Sequence, residues 1–120
     1  MPMIELRKSP RIQVIWRAAV KLSDGSLVAT KIVNLSVGGV LMHCPQSLEV
    51  NREYQIMMEV PGIVGGADQQ FKVACKAFVQ HCILAEEHYR IGVKFHGLSD
   101  LHQNLIDAWI SKASKADQAA

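Results

Sequence analysis

The 120-residue sequence is short of several things, and each shortage excludes something. It has three cysteines, Cys44, Cys75 and Cys82, which cannot all pair and form no CxxC. Neither a disulfide framework nor a zinc ribbon is indicated. No stretch approaches the ~20 consecutive apolar residues that span a bilayer, so membrane insertion is not expected. The start Met1-Pro2-Met3-Ile4-Glu5 lacks the basic opening and apolar core of a signal peptide, which makes a cytoplasmic protein the default expectation. Excess charge of one sign is also missing: a net +2 is too small for a general nucleic-acid coat. No GxSxG, HExxH, Walker loop or GxGxxG is present, so the sequence gives catalysis little support and the expectation is a protein that is not an enzyme.

What is present is an ordinary globular composition, 49% hydrophobic and 20% charged, in a length that suits one domain. Charge is unevenly placed. Residues 1–21 carry Arg7, Lys8, Arg11, Arg17 and Lys21 against Glu5 alone. A weakly charged domain with a basic leader suggests a localised anion site; a merely solvated tail is the plainer interpretation of charge by itself.

Period-two alternation runs through the first 96 residues and predicts six strands. Ile12, Val14, Trp16, Ala18, Val20 and Leu22 share one face of the first. Asp24-Gly25 supplies a hairpin turn, and a second strand runs from about Leu27 to Leu35. Ser36 to Gly39 breaks the chain before a short third strand at Val40-Leu41-Met42, which Pro45 ends. Tyr54, Ile56, Met58 and Val60 mark the fourth. A mobile loop is expected from Ile63 to Gln70. Phe71, Val73, Cys75, Ala77, Val79, His81 and Ile83 mark a long fifth strand, bent or bulged somewhere along it. Tyr89, Ile91, Val93 and Phe95 mark the sixth, with Arg90, Lys94 and His96 outward. After Gly97 the spacing turns helical through Leu98, Leu101, Leu105, Ile106, Trp109 and Ile110, with Ser99 or Asp100 as cap. This helix is expected to cover an open end or face of the sheet. Residues from Ser111 to Ala120 read as a polar, frayed tail. The class predicted is all-β: a small antiparallel barrel or sandwich followed by one helix.

Two dipeptides, His43-Cys44 and His81-Cys82, assemble a possible His₂Cys₂ zinc set on paper. Adjacent residues of a strand point to opposite faces, so neither pair converges easily on one ion, and no metal site is expected. Glu86-Glu87 looks like paired carboxylates, but in a hairpin turn it reads as a solvated charge cluster.

More informative are an RxxxR (Arg7-Lys8-Ser9-Pro10-Arg11) just before the first strand and an NxSxxG (Asn34-Leu35-Ser36-Val37-Gly38-Gly39) between the second and third. Each is weak alone. Their order, their separation by one hairpin and the six-strand pattern behind them are specific together. From about Glu5 to Ile110 the chain resembles the PilZ domain, a bacterial receptor module for cyclic di-GMP. Tyr89-Arg90-Ile91-Gly92-Val93-Lys94-Phe95 is similar to that family's final strand. The resemblance implies a six-stranded antiparallel β-barrel with one C-terminal α-helix. It divides the chain into a flexible basic segment (1–11), the barrel with its helix (12–113) and a polar tail (114–120). It also implies a cyclic di-GMP site at Arg7, Arg11, Asn34, Ser36 and Gly39, with no cofactor.

The residue types suit that ligand. A guanidinium fork matches the adjacent O6 and N7 acceptors of guanine and also grips phosphate oxygens. Asn34 and Ser36, two apart in extended chain, point the same way and can bond a guanine edge. Gly39, lacking Cβ, permits a positive φ or a close approach of backbone to ligand. The expected mechanism is ordering of residues 1–11 across Asn34–Gly39 by the dianion, which presents a new surface to an unidentified effector protein. A monomer or weak homodimer is expected, and one nucleotide or a stacked pair remains open. Two other classes compete: a PilZ-like protein-interaction module with little or no nucleotide binding, and a barrel for single-stranded nucleic acid. The second needs exposed aromatic platforms. With two Trp, two Tyr and three Phe, mostly on inward positions, the sequence supplies few, so no nucleic-acid partner is expected.

Overall fold

The computed structural model describes residues 11–62 and 70–119. Six strands follow in order: β1 (Ile12–Lys21), β2 (Leu27–Leu35), β3 (Gly39–Cys44), β4 (Glu53–Pro61), β5 (Gln70–Leu84) and β6 (Tyr89–His96). A single helix, α1 (Asp100–Ala119), comes last. Every strand pairing is antiparallel, and the sheet closes as β1-β2-β3-β6-β5-β4. Closure gives each described strand a paired neighbour on both sides.

Alternation drives this outcome. On β4, Tyr54, Ile56, Met58 and Val60 are buried while Gln55 and Met57 between them are exposed. On β1, Trp16 and Val20 are buried and Ile15 is 79% exposed. The interior is filled by branched and sulfur-bearing side chains, among them Ile32, Leu35, Met42, Ile56, Met58 and Ile91, each at most 1% exposed. The β1–β2 hairpin turns at Gly25, whose φ of 89° favours glycine. Asp24 Oδ1 braces the turn by accepting from the Ser26 amide at 2.9 Å.

The helix starts at a Ser99 cap. Ser99 Oγ accepts from the His102 amide at 3.2 Å, and the Ser99 carbonyl accepts from the Gln103 amide at 2.8 Å. Ile106 and Ile110 enter the core. Trp109 meets Trp16 edge to face, ring centroids 5.8 Å apart, and its Nε1–H donates to the Pro61 carbonyl at 2.8 Å. Both indoles therefore belong to the junction of helix and barrel.

Two expectations need correction, and a third falls almost wholly outside the described residues. The polar stretch from Ser111, expected to fray, continues the helix to Ala119; Lys and Ala there are good helix formers, and an apolar stripe is not required for propagation. The fifth strand does not keep one face throughout. Val73, Cys75, Ala77 and Val79 are buried, but a register shift between Val79 and His81 turns His81 and Ile83 outward. Phe71, at the other end, is 40% exposed. The loop expected at Ile63–Gln70 lies outside the described residues except for Gln70, which opens β5.

Candidate functional site

The NxSxxG segment lies where β2 hands over to β3. Strict alternation inward at Ile32 would bring Asn34 inward as well. A register shift between Ile32 and Asn34 prevents this, because Val33 is an extra residue opposite β3. Ile32 and Leu35 both stay in the core while Asn34 reaches the outer surface. The following turn is held by backbone: the Ser36 amide donates to the Gly39 carbonyl at 2.9 Å, and the Phe95 amide to the Gly38 carbonyl at 2.8 Å. Ser36 Oγ makes a longer bond, 3.3 Å, to the Gly39 carbonyl.

Gly39 does not take the positive φ expected of it, and the neighbouring strand gives a separate reason for glycine there. It is buried against β6. A Cβ there would lie 2.0 Å from the Val93 carbonyl oxygen and 3.1 Å from Lys94 Cα. The close approach is to the neighbouring strand, so Gly39 shapes the wall of the site from behind.

Pairing then aligns an outward row across four strands. Asn34 faces Leu41, Leu41 faces Gly92, and Gly92 faces His81. Bulges at both ends, in β2 and β5, re-aim the end residues outward. The row floors a cleft of about 430 Å³ whose lining includes Arg11, Asn34, Ser36, Gly39, Arg90 and Lys94. Four of the five predicted site residues are thus brought together. The fifth, Arg7, lies outside the described residues. Among the described lining residues the charged groups are all cationic, which suits a multivalent anion.

A second cleft of about 830 Å³ adjoins the first and shares Asn34, Leu41 and Arg90 with it. Its wall holds His43 and His88, stacked with centroids 4.1 Å apart and planes tilted by 31°. Burial holds the His43 imidazole below its ordinary 6.5, and the positive charges of His88, Arg90 and Lys31 push the same way. Cys44, next along β3, is buried in the barrel, so the His-Cys dipeptide divides between two faces.

Sequence reasoning missed His81, Gln80 and Gly92 as lining residues. Their positions depend on the β5 bulge, for which no local signature exists. Arg90 and Lys94 were legible as outward residues of β6, but which cleft they border depends on register.

The family model for the PilZ domain matches residues 5–112. No protein of curated function matches the chain. Among solved structures, the Bacillus subtilis inhibitor of motility, MotI/DgrA, aligns with a TM-score of 0.78 at 12% identity, covering 94% of this chain and 53% of that one. MrkH of K. pneumoniae, in complex with c-di-GMP, aligns at 0.73 and 14% identity, covering 98% and 57%. The PilZ domain of Escherichia coli YcgR, with c-di-GMP, aligns at 0.64 and 15% identity, covering 96% of both chains. The chain therefore spans about half the length of MotI/DgrA and of MrkH, and the whole of an isolated domain. At these identities the likeness is one of fold.

Proposed function

This chain belongs to the PilZ domain family, and on that premise we propose that it is a receptor for cyclic di-GMP, held by Arg7, Arg11, Asn34, Ser36 and Gly39. One observation carries the reading. Arg11, Asn34, Ser36 and Gly39, from separate stretches of the sequence, line one cleft with Arg90 and Lys94. A dianion carrying two guanines meets in that cleft the two things it needs: cationic forks and neutral hydrogen-bonding groups. Asn34 brings an amide that both donates and accepts, so it can pair with a guanine edge without repelling the phosphates. The ligand is bound and released unchanged. Ordering of residues 1–11 over the cleft converts occupancy into a surface that an effector protein reads.

Calorimetric titration with cyclic di-GMP, GTP and a short oligonucleotide tests this. Saturation by the cyclic dinucleotide alone is expected. Arg7→Ala and Arg11→Ala are each expected to weaken binding by about 1–3 kcal/mol, the worth of one charge-assisted bidentate contact. Unchanged affinity in both variants refutes the assignment. Silence with all three ligands favours the module that contacts protein without nucleotide, and a pull-down with and without cyclic di-GMP then identifies its partner.

A further inference from the structure

Resting on the cyclic di-GMP reading, we infer that the imidazole of His81 is the platform on which one guanine of the ligand stacks, and that Gly92 is what allows the ring to lie flat. The β5 bulge turns His81 to the outer surface, directly across from Gly92 on β6. A Cβ built on Gly92 would meet three atoms of the His81 ring: Cε1 at 2.2 Å, Nε2 at 2.6 Å and Nδ1 at 2.8 Å. Distances so nearly equal mean that the ring covers Gly92 with its face. An edge-on ring would hold its nitrogens much farther off than its leading carbon. One face of the imidazole is therefore spent on the sheet, and His81 remains exposed within the cleft, free to present the other.

The surroundings specify what that face meets. Arg90 and Lys94 lie two residues to either side of Gly92, on the same outward face of β6, and both are exposed. At the far end of the outward row stands Asn34, three strand spacings or about 14 Å away. The floor thus has a hydrogen-bonding end at Asn34 and Ser36 and a flat end at His81 bracketed by cations. A ligand with a phosphate ring between two flat bases engages both ends at once. A flat face selects for a nucleobase in any orientation about its normal, and Arg90 is placed to supply a fork for acceptors at the base edge. The sequence holds few Phe, Tyr or Trp, and this imidazole supplies a stacking surface in their place.

The test is calorimetry with cyclic di-GMP on the wild type, His81→Ala, His81→Phe, His81→Lys and Gly92→Ala. His81→Ala is expected to bind about tenfold more weakly, as loss of one stacked base implies. His81→Phe, which keeps a flat ring and no charge, is expected to stay within about threefold of wild type. His81→Lys, which carries a cation and no ring, is expected to behave like His81→Ala. Gly92→Ala is expected to weaken binding by lifting the ring. His81→Trp adds a spectroscopic readout: its exposed indole is expected to be quenched on adding the ligand. Wild-type binding with His81→Ala within about twofold, or rescue by Lys and not by Phe, overturns the stacking role while leaving the receptor reading intact. A wild type that does not bind overturns the receptor reading, and this inference falls with it.

Discussion

Gly39 and Val93 meet backbone to backbone: a Cβ on Gly39 would lie 2.0 Å from the Val93 carbonyl oxygen. The strands that meet there, β3 and β6, form the middle of the cleft floor. Gly39→Ala must therefore push β3 away from β6, since a carbonyl oxygen in a ladder has no rotamer by which to step aside. The expected loss is about 1–3 kcal/mol of stability, the usual range for forcing a methyl into a filled space. Urea unfolding checks it. A midpoint equal to wild type contradicts the close approach.

Trp109 joins the helix to the barrel through Trp16 and the Pro61 carbonyl. Trp109→Phe keeps much of the packing but removes the indole donor, and is expected to cost about 1 kcal/mol. Trp109→Ala removes both and is expected to cost about 3 kcal/mol, near the low end for buried aromatics because Trp109 is only half-buried. Chemical denaturation followed by far-UV circular dichroism separates the two. Equal costs would mean that the hydrogen bond carries the whole junction.

His43 makes stability depend on pH in a stated direction. Burial first, and then the charges of His88, Arg90 and Lys31, hold its imidazole below 6.5 in the folded state. The unfolded chain takes up the proton at the higher, ordinary value. The contribution is therefore complete above about pH 6.5 and is lost as pH falls below it toward the folded value. The Nε2 of its stacking partner His88 is buried without a hydrogen-bond partner among the described residues. Wild type is expected to lose more stability between about pH 7.5 and about pH 5.5 than His43→Gln, measured by urea midpoints. Parallel losses would show that His43 does not titrate across folding.

The thiols are expected to differ in reactivity. Burial pushes Cys75 up to about 11 and also raises Cys44, so both are almost wholly protonated near neutral pH. Cys82 is only half-buried. Brief treatment with iodoacetamide at about pH 8 is expected to alkylate Cys82 first and to leave Cys44 and Cys75 unmodified until the protein unfolds. Peptide mass mapping reads this directly, and early labelling of Cys75 would contradict its burial.

The sequence by itself determined the six strands and the class of the fold, because a half-buried strand must alternate and these strands do. It marked the helix by the change of period after Gly97 and offered Ser99 or Asp100 as its cap, of which the structure uses Ser99. It also marked Asn34, Ser36 and Gly39 as a turn with polar groups facing one way. Tertiary structure decided the rest, and the reason is register. Val33 and the bulge after Val79 each add one residue to a strand, and one residue is enough to turn every later side chain to the opposite face. That shift brings Asn34 and His81 outward into one row, a relation between positions 47 residues apart that no local pattern encodes. Gly39 and Gly92 look interchangeable as letters; only the strand opposite each reveals that one makes room for a carbonyl and the other for a ring.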